Sequence, residues 1–363
     1  MTSRVAASRE SEEMAQYRWK RLSDYEQLMF CDDAETGLKA IIAIHSTALG
    51  PALGGCRMWP YDSEREALDD VLRLARGMTF KAAVAGLPMG GGKAVIMGDP
   101  ATDKSESLFR AFGRMVDRLG GSYVTGEDVG ISVADIEIVG RETAHVGGIS
   151  SGSGDPSPVT AYGVFTGIRA ALKHRLGGDS LDGATVAVQG LGHVGYHLCR
   201  LLRDAGAKLT VADIAEKSVA RAVEEFDATV VAPDEIHGAD VDVYAPCALG
   251  GAINDKTINE IKAGVVAGAA NNQLAEPRMG AELVERGILY APDYVINAGG
   301  VINISWDVLR PGTPYDRERA LAQVDRIHGT LTDIFQRAAS EGRPTHEIAD
   351  ELAMVRLEHA HAA

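Results

Sequence analysis

The spacing of apolar and polar positions divides the chain into two differently patterned stretches. Leu38–His45 (LKAIIAIH) is a β-branched apolar run and predicts a strand. Gly50–Arg57 (GPALGGCR) is full of breakers and reads as a loop. From Ser63 to Arg76, Leu68, Val71, Leu72, Leu74 and Ala75 recur at helical spacing. Ser63 with Glu66 three residues on has the form of a capping box, and Lys81 would lie just past that helix. Ala94–Met97 and Ser122–Thr125 predict strands. Ser105–Leu119 predicts an amphipathic helix with Leu108, Phe112 and Met115 on one face, and Val133–Thr143 a second helix. Residues 1–20 read as a charged, partly helical lead-in.

Gly147–Pro158 (GGISSGSGDPSP) is dominated by Gly, Ser and Pro and marks the main domain boundary. A helix follows over Thr160–Arg175. Strands and helices then alternate through Ala184–Gln189, Val194–Ala205, Leu209–Asp213, Lys217–Phe226 and Val241–Tyr244. That alternation implies parallel βαβ units with right-handed crossovers. Periodic apolar positions return from Arg317 to the C-terminus. A length of 363 residues makes two domains the default.

The net charge of −15 argues against nucleic acid or an anionic membrane as partner. No apolar run reaches the length of a membrane span, and the N-terminus has no apolar signal core, so export is not expected. Cys31, Cys56, Cys199 and Cys247 are scattered, without a CxxC or a His cluster. Reduced thiols in a cytoplasm fit better than a disulfide framework or a metal site.

Two segments carry candidate chemistry. Met78-Thr-Phe-Lys81 and Gly86-Leu-Pro-Met-Gly-Gly-Gly-Lys93 place two lysines twelve residues apart, the second behind three glycines. Such a run lets the backbone turn sharply and approach a ligand. Two nearby ammonium groups disfavour each other's charge, and a lysine so tuned can serve as a base. A tight loop with solvated lysines satisfies the spacing equally well. The second segment is Gly190-Leu-Gly192-His193-Val194-Gly195, a G-x-G-x-x-G between a β-branched strand and a helix, with Asp213 ending the next strand. Gly190 makes the turn, Gly192 lets the backbone reach a pyrophosphate, and Gly195 packs helix on strand. Asp213 suits a ribose 2′-hydroxyl and repels a 2′-phosphate, which favours NAD over NADP. His193 tempts as an acid–base group but would face cofactor or solvent, and His45 reads as structural. Cys247 sits in an apolar stretch without a histidine partner and reads as packed.

These segments resemble the amino acid dehydrogenases of the glutamate/leucine/phenylalanine/valine group over about Tyr25–Arg343. The likeness runs through Gly37–His45, Gly50–Gly55, Met78–Lys81, Met89–Lys93, Thr125–Gly130, Tyr244–Gly250, Gly268–Gln273 and Tyr290–Gly300, in one order. Within the group it leans to the leucine-specific members, with valine and phenylalanine types next. The resemblance implies an α/β fold of two domains with a cleft that opens and closes. Residues 1–150 would bind substrate and oligomerise, joined by a C-terminal helix at about 335–363, and 151–334 would form a Rossmann-type NAD domain. It implies reversible conversion of an apolar L-amino acid, NAD⁺ and water to the 2-oxo acid, ammonium and NADH, as in branched-chain amino acid catabolism. It also implies a homo-oligomer, often an octamer, with dimers and tetramers among relatives. By resemblance, Lys81 holds the substrate carboxylate, Lys93 activates water, and Asp128 supports proton transfer at the amino nitrogen. Gly54 and Gly55 lie near the substrate, Thr160 meets the nicotinamide, and Asn272 and Asn271 contact substrate and cofactor. Leu53, Gly126, Val301 and Ile304 would wall an apolar pocket. Leucine-type relatives usually have Ala at the position of Gly126 and Val at that of Ile304, so leucine and phenylalanine both stay open. Ile304-Ser-Trp-Asp307 departs from the family's usual pattern.

Overall fold

The apolar run at Leu38–His45 becomes the buried centre of the first of two units. The structure, a computed structural model, describes residues 24–150, 152–309 and 313–362. The lead-in expected at residues 1–20 lies outside them. One unit takes the chain up to Thr79 together with Met89–Val146, and the other Phe80–Pro88 together with Gly147 onward.

In the first unit β1 (Gln27–Asp33) pairs antiparallel with β2 (Leu38–Ser46). The sheet continues through β3 (Ala52–Leu53), β4 (Cys56–Trp59), β5 (Gly90–Met97) and β6 (Tyr123–Val124), in the order β1-β2-β5-β3-β6 with β4 also on β5. Every residue of β2 except Lys39 and His45 is buried, which explains its unbroken apolar reading. Helices α1 (Glu64–Val84), α2 (Glu106–Asp117) and α3 (Val133–Val139) cover the sheet. Val71, Leu72 and Ala75 of α1 pack on Ile41, Ala43 and Val95. Each valine, leucine or isoleucine among them contributes roughly 1.5–3 kcal/mol on burial, and each alanine methyl less. Ser105 caps α2 by accepting from the Leu108 amide.

Several local expectations need correction. Gly50–Arg57 is not all loop, because Ala52 and Leu53 are buried as β3 and Cys56 begins β4, also buried. Helix α1 runs on to Val84, so Lys81 lies in its last turn rather than beyond it. The Ser63 hydroxyl accepts from the Glu66 amide at 3.2 Å, but Glu66 reaches back to Asp62 and not to Ser63, so the box does not close. Helix α3 stops at Val139, short of Thr143. The glycine run is the largest departure: Gly90, Gly91 and Gly92 are strand, not turn. A Cβ on Gly90 would lie 2.0 Å from the Ser46 carbonyl oxygen, and one on Gly91 2.0 Å from the Thr79 nitrogen. The run exists because other backbone packs onto β5 where side chains would stand.

The second unit opens with α4 (Ser157–Leu176) and then alternates β7 (Thr185–Gln189), α5 (His193–Asp204), β8 (Lys208–Ala212), α6 (Glu216–Phe226) and β9 (Thr229–Val230). It continues with β10 (Val243–Pro246), β11 (Val265–Val266), α7 (Arg278–Glu285), β12 (Leu289–Tyr290), α8 (Asp293–Ile296) and α9 (Gly299–Val308). All strand pairs are parallel, in the order β12-β11-β10-β7-β8-β9. Counted from β7 this is the 3-2-1-4-5-6 order of a dinucleotide-binding sheet.

The chain ends with α10 (Arg317–Val324), α11 (Arg326–Glu341) and α12 (Thr345–Ala362). The single helix expected at about 335–363 is therefore two. Gly342 adopts a left-handed φ of 65° that ends α11, and Pro344 follows. Thr345 donates to the Tyr290 carbonyl at 2.7 Å and the Tyr294 hydroxyl to Asp350 at 2.6 Å, so α12 is anchored within the second unit. No described helix is long and apolar enough to cross a membrane.

Candidate functional site

Strand β5 carries Lys93 into the first unit with a side chain only 7% exposed. Its ammonium lies 3.1 Å from Asp128 Oδ2. Asp128 follows β6 on a loop that the edge of β4 holds: Cys56 donates to the Gly126 carbonyl at 2.8 Å and Met58 to that of Val129 at 2.9 Å. Gly55 makes room for that loop, since a Cβ there would meet the Glu127 oxygen at 2.2 Å. Gly54 does the same toward β5, where a Cβ would lie 1.8 Å from the Gly92 oxygen. Leu53, which precedes Gly54, and Gly126, whose carbonyl accepts from the Cys56 amide, are both buried.

A second cation reaches the same oxygen. Arg57 Nε donates to Asp128 Oδ2 at 3.0 Å, and Arg57 Nη1 to Asp70 Oδ2 at 3.0 Å. Asp70 also accepts from Tyr61 at 2.8 Å and from Arg73 at 2.7 Å. Burial pushes the Asp128 carboxyl upward, but Lys93 and Arg57 outweigh it and hold the group down at about 2. Lys93, Asp128 and Arg57 thus form a lysine–carboxylate–arginine cluster. Sequence reasoning missed Arg57, Asp70 and Tyr61. The available signal was an arginine directly after the double glycine, in a segment whose breakers hid the strand.

Lys81 belongs to the second unit, where its ammonium donates to Asn271 Oδ1 at 3.3 Å. The same oxygen accepts from Asn297 Nδ2 at 2.7 Å, and that amide also donates to the Ala269 carbonyl. With both donors on Oδ1, Asn271 is left with its NH₂ group to offer. Asn272 takes a left-handed φ of 53°, and its carbonyl accepts from Gly251 at 2.7 Å. Asp293 accepts from the Gln273 amide at 2.9 Å and so fixes the end of this loop; burial raises its carboxyl. Asn297 and Asp293 carried no sequence signal separable from a turn.

The glycine fingerprint fits a dinucleotide. Gly190 has a φ of 96°, a value that favours glycine. A Cβ on Gly195 would stand 1.9 Å from the Gly190 oxygen, whereas one on Gly192 would meet open space. Helix α5 starts at His193 without any side-chain cap, so its first-turn amides face outward for an anion. His193 is exposed and Val194 half-buried there. Asp213 follows β8 and accepts from the Leu191 amide at 2.5 Å and the Ala215 amide at 2.7 Å, which ties the acidic residue to the glycine loop.

Thr160 lies in the first turn of α4 and donates to the Pro156 carbonyl at 3.0 Å; Gly300 packs on its hydroxyl. Val301 is buried at the start of α9. Ile304 packs against Gly147 and Gly148. The unusual Ser305–Asp307 segment has local tasks. Asp307 accepts from the Ser153 amide and hydroxyl at 3.1 and 3.2 Å, and Trp306 donates to Gln323 at 2.8 Å. His45 bonds Thr79 at 2.9 Å, and burial with Arg76 lowers it to about 4, which suits a packing role. Burial pushes the Cys247 thiol up to about 12, so it is no nucleophile.

Residues 25–145 match the Glu/Leu/Phe/Val dehydrogenase dimerisation domain, and residues 151–215 and 211–363 match the Glutamate/Leucine/Phenylalanine/Valine dehydrogenase domain. Leucine dehydrogenase of Geobacillus stearothermophilus is 56% identical, covering 95% of this chain and 94% of that one. Valine dehydrogenase of Streptomyces virginiae is 50% identical over 93% and 94%. The crystal structure of L-tryptophan dehydrogenase from Nostoc punctiforme superposes with a TM-score of 0.81 at 46% identity, covering 95% and 99%. With both domains matched and identity above one half along nearly its whole length, the chain belongs to the glutamate/leucine/phenylalanine/valine dehydrogenase family.

Proposed function

We propose that this protein catalyses the reversible oxidative deamination of an apolar L-amino acid, leucine foremost, to the 2-oxo acid, ammonium and NADH. The observation that carries the reading is Lys93 held buried against an ionised Asp128 in a chain of this family. The leucine, valine and tryptophan relatives are all named for side chains without charge, and among these three the leucine relative has the greatest identity, 56% against 50% and 48%. Leu53 and Val301 add no charge to a pocket wall. Ile304 is engaged with Gly147, which makes it a weaker wall candidate than Gly126. Phenylalanine is the alternative substrate, favoured by the missing methyl at Gly126; one methyl changes selectivity by only about 1–3 kcal/mol.

When bound, NAD⁺ accepts the hydride from the substrate α-carbon. Gly190, Gly192 and the first turn of α5 hold its pyrophosphate, Asp213 its ribose, and Thr160 with Asn271 the nicotinamide end. Asp213 would repel a 2′-phosphate, which favours NAD over NADP. Lys81 anchors the substrate carboxylate and Asn272 contacts the substrate. Asp128 moves a proton at the amino nitrogen. Lys93 takes a proton from the water that attacks the substrate iminium, and positioned bases of this kind contribute roughly 10²- to 10⁴-fold in rate. A homo-oligomer goes with this reading, since residues 25–145 match a dimerisation domain. So does a cytoplasmic setting, in which Cys31, Cys56, Cys199 and Cys247 stay free thiols.

Initial rates of NADH formation at alkaline pH test it, with L-leucine, L-valine and L-phenylalanine and with NAD⁺ against NADP⁺. The highest kcat/KM is expected for leucine with NAD⁺. No turnover of any of the three, despite NAD⁺ binding, would sink the proposal.

A further inference from the structure

Lys93 and Arg57 converge on one oxygen of Asp128, Oδ2, at 3.1 and 3.0 Å. The two cations differ in kind. A lysine that serves as a base must pass through its neutral form, whereas an arginine keeps its charge at any working pH. Arg57 is also held from its far side. Its Nη1 meets Asp70, which Tyr61 and Arg73 fix in turn. The guanidinium therefore spans two carboxylates with two different nitrogens, a geometry that one ammonium cannot reproduce. Among the described residues no hydrogen bond engages Asp128 Oδ1, so the clamp on Oδ2 leaves the other oxygen available.

We propose that Arg57 is a positioning residue for the reaction: it clamps Asp128 through Oδ2, keeps Oδ1 open for the substrate amine, and preserves the carboxylate's charge while Lys93 is neutral. This rests on the reading of Asp128 as the proton carrier. The groups facing Asp128 leave Arg57 as the constant charge. Lys93 comes from β5, and Cys56 with Arg57 from β4. Tyr61 follows β4, Asp70 and Arg73 lie on α1, and Tyr123 on β6. Burial first, with nearby acids, raises the Cys56 thiol and the Tyr61 and Tyr123 phenols far above neutrality, so all three stay uncharged in an assay. Asp70 is held below its ordinary value, because Tyr61, Arg57 and Arg73 outweigh its burial, and so it stays an anion that anchors Arg57.

The test compares Arg57→Gln, Arg57→Lys and Asp128→Asn with the wild type, measuring kcat and both KM values in each direction across pH. In Arg57→Gln, kcat should fall roughly 10- to 100-fold while KM for NAD⁺ holds, because displaced catalytic groups lose rate more than cofactor binding. The acid limb of reductive amination should move toward neutral pH, because Asp128 has lost a cation. Arg57→Lys restores the charge without the fork, so the limb should return toward the wild type and kcat only in part. Wild-type kcat and pH profile in folded Arg57→Gln overturn the proposal. If Arg57→Gln does not fold, wild-type kcat in Arg57→Lys overturns it too. Near-normal turnover in Asp128→Asn removes the premise about Asp128. An inactive Asp128→Asn beside an unaffected Arg57→Gln removes the role of Arg57 alone.

Discussion

Asp128 is the residue whose environment has the plainest consequence. Its folded carboxyl is held at about 2 against an ordinary value of 3.8. A depressed carboxyl contributes stability that is present above the unfolded value and is lost as pH falls through the folded one. The window is thus about pH 4 down to about 2, and the contribution is on the order of 2 kcal/mol. Urea unfolding across that window should give a flatter rise of stability with pH in Asp128→Asn than in the wild type; an equal rise would show that the clamp is not felt. Lys81 and Lys93 could be singled out as candidates because each stands in a distinctive segment, and Asp128 through the family resemblance. Arg57 and its anchor Asp70 were not. The breaker-rich GPALGGCR hid the strand that aims Arg57, and the adjacent Asp69 and Asp70 cannot be told apart by helical spacing.

At the scale of elements, glycines do two different jobs that look alike in sequence. In β5 they admit neighbouring backbone, so Gly91→Ala would drive a Cβ to within 2.0 Å of the Thr79 nitrogen. Overpacking costs typically about 1–3 kcal/mol, and more where backbone is the obstacle. Because Gly91 and Lys93 share one strand, Gly91→Ala should lower both the melting temperature and turnover; a melting temperature within a degree of wild type would contradict this packing. In the α5 fingerprint the obstacle is Gly190 itself, 1.9 Å from a Cβ on Gly195. Gly195→Ala should weaken NAD⁺ binding at least tenfold, about 1.4 kcal/mol, read by fluorescence titration. Many of the longer strands and helices were legible from their periodicity, but β1, α7 and α9 were not read. Strands β9, β11 and β12 were not, since two residues apiece give no period to read. The break between α11 and α12 needed only Gly342 and Pro344, but the apolar pattern runs on through both helices and concealed it.

At the scale of the whole molecule, the two units divide the chemistry as they divide the chain. The Lys93–Asp128–Arg57 cluster belongs to the first, and Lys81, Asn271 and the glycine fingerprint to the second. A helix that begins in one unit and ends in the other, α1, carries Lys81 across the division. A ligand that binds only the native state stabilises it by mass action, about 2.7 kcal/mol at 100 times its Kd. Thermal unfolding with NAD⁺ should therefore shift the transition of the second unit upward. The most direct single measurement is turnover of L-leucine with NAD⁺ by Lys93→Ala, alongside a titration showing that NAD⁺ still binds. A fall in kcat of at least about 100-fold with cofactor affinity intact is the expected result. Turnover within a few-fold of wild type would contradict the assignment of Lys93 as the base.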